Sequence, residues 1–204
     1  VHARCAGRTT RAEARGPTAR TTTAAKVRYT PTKPVSNENA GPAKNARVLV
    51  TGAGGFIGSH LVEALVARGQ KVRALVRYNG RGDLGMLAHA PKTVRDEIEV
   101  LRGDVTDPFF VRRAVEGCET VFHLAALIAI PYSYEAPRAV FDTNVMGTLH
   151  VAEACVATGA AMVHTSTSEV YGSAQTVPIA ETHPRVGQSP YAASKIAADE
   201  CVRS

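Results

Sequence analysis

The sequence lacks tryptophan, has few aromatic residues and contains no long apolar run. Its four cysteines lie far apart, with no CxxC pair and no neighbouring group of histidines, a spacing typical of neither a zinc site nor a disulfide framework. The longest apolar run, residues 121–131, is interrupted by His123 and falls short of the roughly 18 residues that a membrane span requires. We therefore predict a protein of a reducing compartment, the cytoplasm, with no membrane association and no resident metal.

The sequence also lacks an even distribution of charge. Its 204 residues carry a formal net charge of +6, which by itself indicates an anionic partner such as nucleic acid. Residues 1–46, however, contain nine basic and two acidic side chains, whereas residues 47–204 contain 15 basic and 16 acidic ones. Because the basic excess is confined to the N-terminal segment, we expect no nucleic-acid partner for the rest of the chain.

The N-terminal segment, residues 1–45, is poor in large apolar side chains, with only Val1, Val27, Tyr29 and Val35. Such a segment buries too little surface to offset the entropy of ordering it, so we predict a disordered basic tail or leader. Two functional alternatives stay open. One is a transit peptide, because the segment is rich in Arg and Thr and poor in acids. The other is a nucleic-acid-binding arm, in which only Tyr29 would stack on a base.

From residue 46 onward, apolar runs typical of buried strands alternate with helical patterns over short connections. The predicted strands are 48–50, 72–76, 98–101, 121–124 and 161–165. The predicted helices are 57–66, 111–115, 140–156 and a last one from 190. Asp107 and Pro108 open the helix that contains 111–115, and Gly159 closes the helix 140–156, which has apolar residues at 141, 145, 149, 152 and 156. This alternation predicts βαβ units, and hence an α/β domain over residues 46–204 with a doubly wound parallel (Rossmann) sheet.

A glycine-rich loop joins the first predicted strand to the first predicted helix. Gly52, Gly55 and Gly58 stand at the spacing GxxGxxG. The first glycine permits a tight turn, the second lets the backbone approach a pyrophosphate, and the third lets helix and strand pack closely. With Phe56 and Ile57 they surround a helix N-terminus, whose free N–H groups and positive dipole end favour phosphate. The loop therefore predicts dinucleotide binding.

The residues after the second and third strands bear on which dinucleotide is bound. NAD sites usually carry an acid about 20 residues beyond the glycines, whereas here Arg77 ends the strand and is placed to pair with a 2′-phosphate. This favours NADP over NAD, unless Arg77 is only a solvated charge at the strand end. Asp104, followed by Val105, is placed either to meet the adenine amino group or merely to cap its loop.

Two polar segments in the second half of the chain indicate a catalytic site. Hydroxyl side chains and a carboxylate, within residues 164–172, follow the fifth predicted strand, where ligands bind in open α/β sheets. Tyr191 and Lys195, at positions i and i+4, share one face of the last helix. Ionising a free tyrosine at pH 7 costs roughly 4 kcal/mol, and a neighbouring cation reduces that cost by stabilising the phenolate.

The chain resembles the extended short-chain dehydrogenase/reductases in six segments, which occur in the order and spacing of that family: TGAGGFIG, GDVTD, FHLAA, DTNVMGT, STSEVYG and SPYAASK. Together they cover residues 47–204. STSEVYG is similar to the sugar-nucleotide 4,6-dehydratases, most of all to the GDP-mannose 4,6-dehydratase type. HLAALIAIPYSYEAP and VRYN are similar to dehydratases that act on nucleotide-linked N-acetylglucosamine.

The resemblance implies a catalytic role for five polar residues. Tyr191 takes the proton from the sugar C4 hydroxyl, Lys195 holds the cofactor ribose and lowers the tyrosine pKa, and Thr167 bonds the C4 oxygen. Hydride passes from C4 to the nicotinamide, and Glu169 removes the C5 proton. Either Glu169 or a relay through Ser168 helps to expel the C6 hydroxyl as water, because Ser168 stands where dTDP-glucose dehydratases carry an aspartic acid.

The implied product is a 4-keto-6-deoxy sugar nucleotide, with the cofactor regenerated and retained. The resemblance also implies a small-residue wall beside the cofactor: Leu124, Ala125 and Ala126. Members of the family continue into a smaller substrate domain, so we expect the sequence to be truncated before it and the full-length protein to be a homodimer. The nucleotide and the sugar stay open.

An acid at Glu169 favours dehydration over plain 4-epimerisation, because an epimerase removes no C5 proton, although a structural role for Glu169 stays open. The alternatives are a sugar-nucleotide 4-epimerase, a UDP-glucuronate decarboxylase of the same superfamily, or a non-enzymatic NADP-binding sensor or scaffold. His123 is interpreted as a packed residue, and Asn144 as one that fixes a bend or bonds a strand carbonyl.

Overall fold

Five parallel strands form one sheet in the computed structural model, which describes residues 45–204. The strands are β1 Arg47–Thr51, β2 Lys71–Arg77, β3 Glu99–Gly103, β4 Thr120–His123 and β5 Ala161–His164. Their order is β3-β2-β1-β4-β5, so the chain runs outward in one direction from β1 and then returns to add β4 and β5 on the other side. This confirms the predicted doubly wound α/β sheet. The tail predicted over residues 1–45 lies outside the described residues, apart from Asn45.

Helices connect the strands and cover both faces of the sheet. They are α1 Phe56–Ala67, α2 Lys92–Asp96, α3 Pro108–Val115, α4 Ile130–Glu135, α5 Pro137–Phe141, α6 Gly147–Thr158 and α7 Pro190–Arg203. Short 3₁₀ turns lie at Gly85–His89 and Ser168–Tyr171. None of the helices between residues 45 and 204 combines the length and hydropathy needed to cross a membrane.

Local sequence signals determine where several helices begin and end. The Asp107 side chain accepts hydrogen bonds from the Phe109 and Phe110 amides at 2.9 and 3.1 Å, and Pro108 occupies the first helical position, so α3 starts as predicted. Gly159 ends α6 in the left-handed conformation, with φ of 74°. These caps need no tertiary contact, which explains why the sequence predicts them correctly.

The central strands β1 and β2 are buried on both faces, and two apolar clusters result. One packs on the face that α3 and α6 cover, around Leu49, Leu75, Val111, Val115, Val121 and Val151. The other packs on the face of α1, around Val48, Val50, Val62, Leu65, Val72 and Val76. Alternate residues of β1 therefore enter opposite clusters, which is why the strand reads as a continuous apolar run rather than an alternating one.

The single helix predicted over residues 140–156 is wrong in two respects. The segment consists of α5, a π-helical stretch Asp142–Met146, and α6. The predicted apolar stripe is also not the buried face, since Phe141 is 39% and Val156 85% exposed. The buried side is made mostly of small or hydrogen-bonded residues: Val140, Asn144, Gly147, Thr148, Val151, Ala154 and Cys155. The hydrophobic pattern predicted the wrong buried face. Where helices pack closely, as here, the buried positions are occupied by small or hydrogen-bonded residues, and these need not be the most hydrophobic ones.

Candidate active site

A cavity of about 760 Å³ opens at the C-terminal edge of the sheet. Fifteen of the sixteen residues predicted for the site line it: Gly52, Gly55, Phe56, Ile57, Gly58, Arg77, Asp104, Val105, Leu124, Ala125, Ala126, Thr167, Glu169, Tyr191 and Lys195. Ser168 is not among the lining residues. The topology explains this convergence, because the carboxyl ends of parallel strands meet at one edge and the loops that follow them share one crevice. The roles assigned to these residues remain predictions.

The loop between β1 and α1 has the close backbone packing that a dinucleotide cradle needs. Gly52 has φ of 70°, and a Cβ there would lie 2.8 Å from the Ala125 amide nitrogen. A Cβ on Gly58 would collide with the carbonyl oxygen of Gly52. The space is therefore available only to glycine, and the first amides of α1, which have no intrahelical partner, open into the same cavity. The residues present fit a bound pyrophosphate.

The end of β2 carries an exposed guanidinium that pairs with the end of β3. Arg77 Nε lies 3.6 Å from Asp104 Oδ2. The other oxygen of Asp104 accepts hydrogen bonds from the Thr106 amide at 3.0 Å and from the Thr106 hydroxyl at 2.9 Å. Asp104 thus caps its own loop, as one of the two sequence readings predicted. Both residues also line the cavity, so Arg77 remains available to a ligand at this rim.

The cofactor wall after β4 is held against β1 by a threonine. Thr51 Oγ1 accepts hydrogen bonds from the Leu124 amide at 3.2 Å and the Ala125 amide at 3.1 Å. Its own proton goes to Nδ1 of His123, at 2.8 Å. The Thr51 side chain therefore holds Leu124 and Ala125 against β1, the strand that leads into the glycine loop.

His123 is a packed residue, as predicted. It is buried at the end of β4, and its Nε2–H donates to Thr148 Oγ1 at 3.0 Å, because the Thr148 hydroxyl in turn donates to the Asn144 carbonyl. The pKa of His123 is lowered to about 3, mainly by burial and to a smaller extent by the charges of His164 and Lys195. The ring is a neutral structural bridge, and it does not line the cavity.

Asn144, within the π-helical stretch, links the segment after β4 to helix α7. Its side-chain oxygen accepts from the Leu127 amide at 2.8 Å, and its Nδ2 donates to the Leu127 carbonyl and to Ser194 Oγ, each at 3.0 Å. Asn144 was interpreted as fixing a bend or bonding a strand carbonyl; the carbonyl that it bonds is that of Leu127, which lies beyond the end of β4 and not in a strand. π-Bulges are frequent near functional sites, and this one adjoins the cavity through Thr143.

Tyr191 and Lys195 lie side by side at the start of α7. Ser189 caps this helix by accepting from the Ala192 amide at 3.0 Å, so Tyr191 falls in its first turn. Tyr191 is 7% and Lys195 4% exposed, yet both line the cavity. Lys195 Nζ donates to the Thr165 carbonyl at 2.7 Å, and burial lowers the pKa of its ammonium group, while Asp199 opposes that change.

Some of the polar residues in the segment after β5 line the cavity, and others do not. Thr167 caps the 3₁₀ turn by accepting from the Glu169 amide at 3.3 Å, and both residues line the cavity. Ser168 begins that turn and does not line the cavity. The carboxylate of Glu169 is therefore an acid in the same space as the phenol of Tyr191 and the ammonium of Lys195.

The sequence did not single out Ser166, which lines the cavity, or Asp199, which does not. Asp199 Oδ2 accepts a hydrogen bond from Ser166 Oγ at 2.7 Å and so supports the lining from outside the cavity. One signal was available, since Asp199 lies four residues beyond Lys195 and hence on the same helical face.

Over residues 45–204, no group of three or more potential metal ligands comes together. The arrangement offers a phenol, a cation, hydroxyls and a carboxylate, which suits proton transfer beside a bound dinucleotide.

Residues 49–204 match a protein family described as GDP-mannose 4,6 dehydratase. The chain is 38% identical over 156 residues to the UDP-glucose 4-epimerase of Mycolicibacterium smegmatis. This alignment covers 75% of this chain and 49% of that protein. It is 33% identical over 165 residues to the dTDP-glucose 4,6-dehydratase of Mycobacterium tuberculosis, and this alignment covers 78% of this chain and 48% of that protein. The chain thus spans about half the length of the curated relatives it matches.

A solved structure has the same fold and a related sequence. DesIV, a dTDP-glucose 4,6-dehydratase of Streptomyces venezuelae solved with NAD bound, superposes with a TM-score of 0.70 at 34% identity. The match covers 77% of this chain and 50% of that one. Binding of a nicotinamide dinucleotide by this similar protein agrees with the cradle described above.

Proposed function

We propose that this chain, which belongs to the GDP-mannose 4,6 dehydratase family of nucleotide-sugar enzymes, forms the cofactor-binding and catalytic part of a 4,6-dehydratase. The observation that carries the proposal is the presence of Glu169 in the same cavity as Tyr191 and Lys195. Oxidation at C4 requires only a base such as the phenolate. Loss of water across C5 and C6 also requires a group that removes the C5 proton, and a carboxylate in the cavity meets that need.

The first proton transfer falls to Tyr191. Its phenolate oxygen takes the proton from the sugar C4 hydroxyl, and the adjacent Lys195 ammonium stabilises that phenolate beforehand. We assign to Thr167, which lines the same cavity after β5, the hydrogen bond to the C4 oxygen as it becomes a carbonyl. Reversible hydride acceptance is the chemistry that a bound nicotinamide supplies at this point.

The second proton transfer falls to Glu169. The C4 carbonyl acidifies the C5 proton, which the Glu169 carboxylate removes, and the protonated carboxyl group then donates to the departing C6 hydroxyl. We assign both steps to Glu169 because Ser168, the alternative proton donor, does not line the cavity. A serine hydroxyl is also a far weaker acid than a carboxyl group. Return of the hydride from the bound nicotinamide to C6, with a solvent proton delivered to C5, would then complete the 4-keto-6-deoxy sugar nucleotide.

The dinucleotide we propose is NADP, with NAD as the alternative. The supporting feature is Arg77, whose guanidinium lies at the rim of the cavity and, among residues 45–204, pairs with one acid, Asp104, at 3.6 Å. A 2′-phosphate would offer it a stronger, bidentate partner than Asp104 does.

A sugar-nucleotide 4-epimerase is the second candidate, favoured by the 38% identity to such an enzyme. It would use the same Tyr191, Lys195 and Thr167 but would leave the C5 proton in place. A glucuronate decarboxylase, or a sensor that binds the dinucleotide without turnover, would also share the cradle. The fate of the C5 proton separates these functions.

The deciding experiment incubates the protein with candidate nucleotide sugars in heavy water and follows the products by mass spectrometry. A dehydratase yields a product that has lost water and gained one deuterium at C5. Inversion at C4 without deuterium uptake would instead assign the epimerase. Release of carbon dioxide from a glucuronate substrate would assign the decarboxylase, and dinucleotide binding with no turnover would assign the sensor.

The setting of the reaction is also proposed. We place it in the cytoplasm, because Cys118, Cys155 and Cys201 are free thiols in the described part of the chain.

We further propose that the full-length protein is a homodimer. The exposed apolar side chains of Phe141, Met146 and Val156, along α5 to α6, support a protein partner on that surface.

A further inference from the structure

Asp199 joins helix α7 to the end of strand β5 through a buried carboxylate. It is 7% exposed. Its Oδ1 accepts from His164 Nε2 at 3.2 Å, and its Oδ2 accepts from Ser166 Oγ at 2.7 Å. These two partners flank Thr165, whose carbonyl accepts the hydrogen bond from Lys195. The Asp199 carboxylate therefore bonds the residue before and the residue after Thr165, and the Thr165 carbonyl oxygen is the atom that orients the Lys195 ammonium group.

The same carboxylate is a negative charge close to that ammonium group. Asp199 lies four residues beyond Lys195, so both side chains stand on one face of α7. Besides Tyr191, two histidines interact electrostatically with Lys195, His123 on β4 and His164 on β5, and burial lowers the pKa of both, which leaves them neutral at pH 7. Glu169 is exposed on the cavity side. Among the described residues, Asp199 is the buried acid that offsets the cost of burying the Lys195 charge.

The hydrogen bonds of His164 agree with this distribution of charge. Its Nε2–H donates to Asp199, while its Nδ1 has no hydrogen-bond partner among residues 45–204. The ring also stacks on His123, with centroids 5.6 Å apart. The neutral ring thus uses its one donor on Asp199, and the Lys195 ammonium is the positive charge that balances the Asp199 carboxylate.

We propose that Asp199 is a positioning residue, which holds the Thr165–Thr167 strand end against α7 and keeps the Lys195 ammonium charged beside Tyr191. The proposal rests on the proposed roles of Tyr191 and Lys195. Asp199 touches neither substrate nor cofactor and acts through Lys195 and Ser166. Without its charge, the buried amine loses its proton more easily, and a neutral amine no longer stabilises the Tyr191 phenolate.

The direct test measures the pKa of Lys195 by NMR with lysine labelled with ¹³C at Cε. The chain has only six lysines, and the Lys195→Arg variant identifies the signal by its loss. Asp199→Asn preserves the shape and removes the charge, and we expect it to lower the pKa of Lys195 by about one pH unit or more. This readout needs no substrate, so it stands even if the protein turns over none of the proposed nucleotide sugars.

The matched control is Glu200→Gln, which removes the same charge from the next residue of the same helix. Glu200 pairs with Arg185 at 2.6 Å, away from the cavity, so its loss should leave the Lys195 titration unchanged. An equal shift in both variants, or no shift in Asp199→Asn, would overturn the proposal. Should Asp199→Asn not fold, Asp199→Ser carries the same expectation, and failure of both to fold would reduce Asp199 to a purely structural residue.

A kinetic measurement completes the test for whichever nucleotide sugar is turned over. We expect Asp199→Asn to lower kcat about tenfold or more with KM for the sugar nucleotide unchanged, and to move the alkaline limb of the kcat profile to lower pH. Glu200→Gln should match the parent protein in both. A rise in KM with an unchanged pH profile would contradict a role through Lys195.

Discussion

Thr51 on β1 donates a 2.8 Å hydrogen bond to Nδ1 of His123, its register partner on β4. The same threonine accepts two amides from the cofactor wall. A protonated His123 would carry a hydrogen on Nδ1, so the Thr51 hydroxyl would have to turn away, and a buried charge would appear. The edge of the sheet that forms the cavity thus depends on a neutral imidazole.

The first prediction concerns the pH dependence of stability. The pKa of His123 falls from its ordinary 6.5 to about 3 in the folded chain, so the unfolded chain binds more protons between those values. His123 therefore destabilises the fold progressively as the pH falls from about 6.5 to about 3, by about 1.4 kcal/mol for each pH unit. In urea unfolding at pH 7 and pH 4.5, a His123→Gln variant should lose less stability on acidification than the parent protein. The exposed His89→Gln variant is the control and should lose as much as the parent.

The second prediction concerns the glycine cradle. Gly58→Ala places a Cβ against the Gly52 carbonyl, so either the loop or α1 must shift. We expect a loss of about 1–3 kcal/mol of unfolding free energy, typical of overpacking, together with loss of dinucleotide affinity. Calorimetric melting and titration measure the two effects. Gly80→Ala is a matched control, because a Cβ there meets nothing within 4 Å, and it should change neither quantity.

The third prediction concerns the choice of dinucleotide. Arg77→Ala should weaken NADP binding by about 1.5–3 kcal/mol, a factor of roughly 10 to 100, and leave NAD binding nearly unchanged. Arg102→Ala removes an exposed guanidinium from the neighbouring strand β3 and should affect neither dinucleotide. Equal weakening of both dinucleotides by Arg77→Ala would show that Arg77 does not contact the 2′-phosphate.

The fourth prediction separates the two proton transfers. Glu169→Gln keeps the size of the side chain but removes the base, so deuterium uptake at C5 and loss of water should fall by about 10² to 10⁴. Formation of reduced dinucleotide, followed at 340 nm in a single turnover, should persist because Tyr191 and Lys195 are intact. Glu153→Gln, an exposed change on α6, provides the control. Full dehydration by Glu169→Gln would exclude Glu169 as the base.

Several features followed from local sequence alone. The glycine spacing, the Asp107–Pro108 start of α3 and the Gly159 end of α6 are determined by backbone conformation and nearby hydrogen bonds, so the residues themselves suffice. The alternation of strands and helices predicted the parallel sheet, and the sheet in turn explains why residues as distant as Gly52 and Lys195 line one cavity.

Other features were decided by tertiary structure. Hydrophobicity predicted the wrong buried face for residues 140–156, because the π-helical turn and the bonds of Asn144 set the rotation of that segment. The sequence likewise placed Ser168 in the site, whereas the 3₁₀ turn leaves it outside the cavity. Such outcomes depend on packing and on turn geometry, which residue types alone do not specify.

By itself, the sequence determined that this chain folds into a doubly wound sheet with a dinucleotide loop, because strand pattern and glycine spacing are local properties. Only the tertiary structure decided how Asp199 meets His164 and Ser166, which lie 35 and 33 residues earlier in the chain. That meeting requires α7 to pack on the end of β5 in one register. The register follows from the summed contacts of both elements. The spacing of four residues therefore indicates that Asp199 shares a helical face with Lys195, but it does not reveal that the carboxylate is buried or that it bonds to residues at the end of β5 and just beyond it.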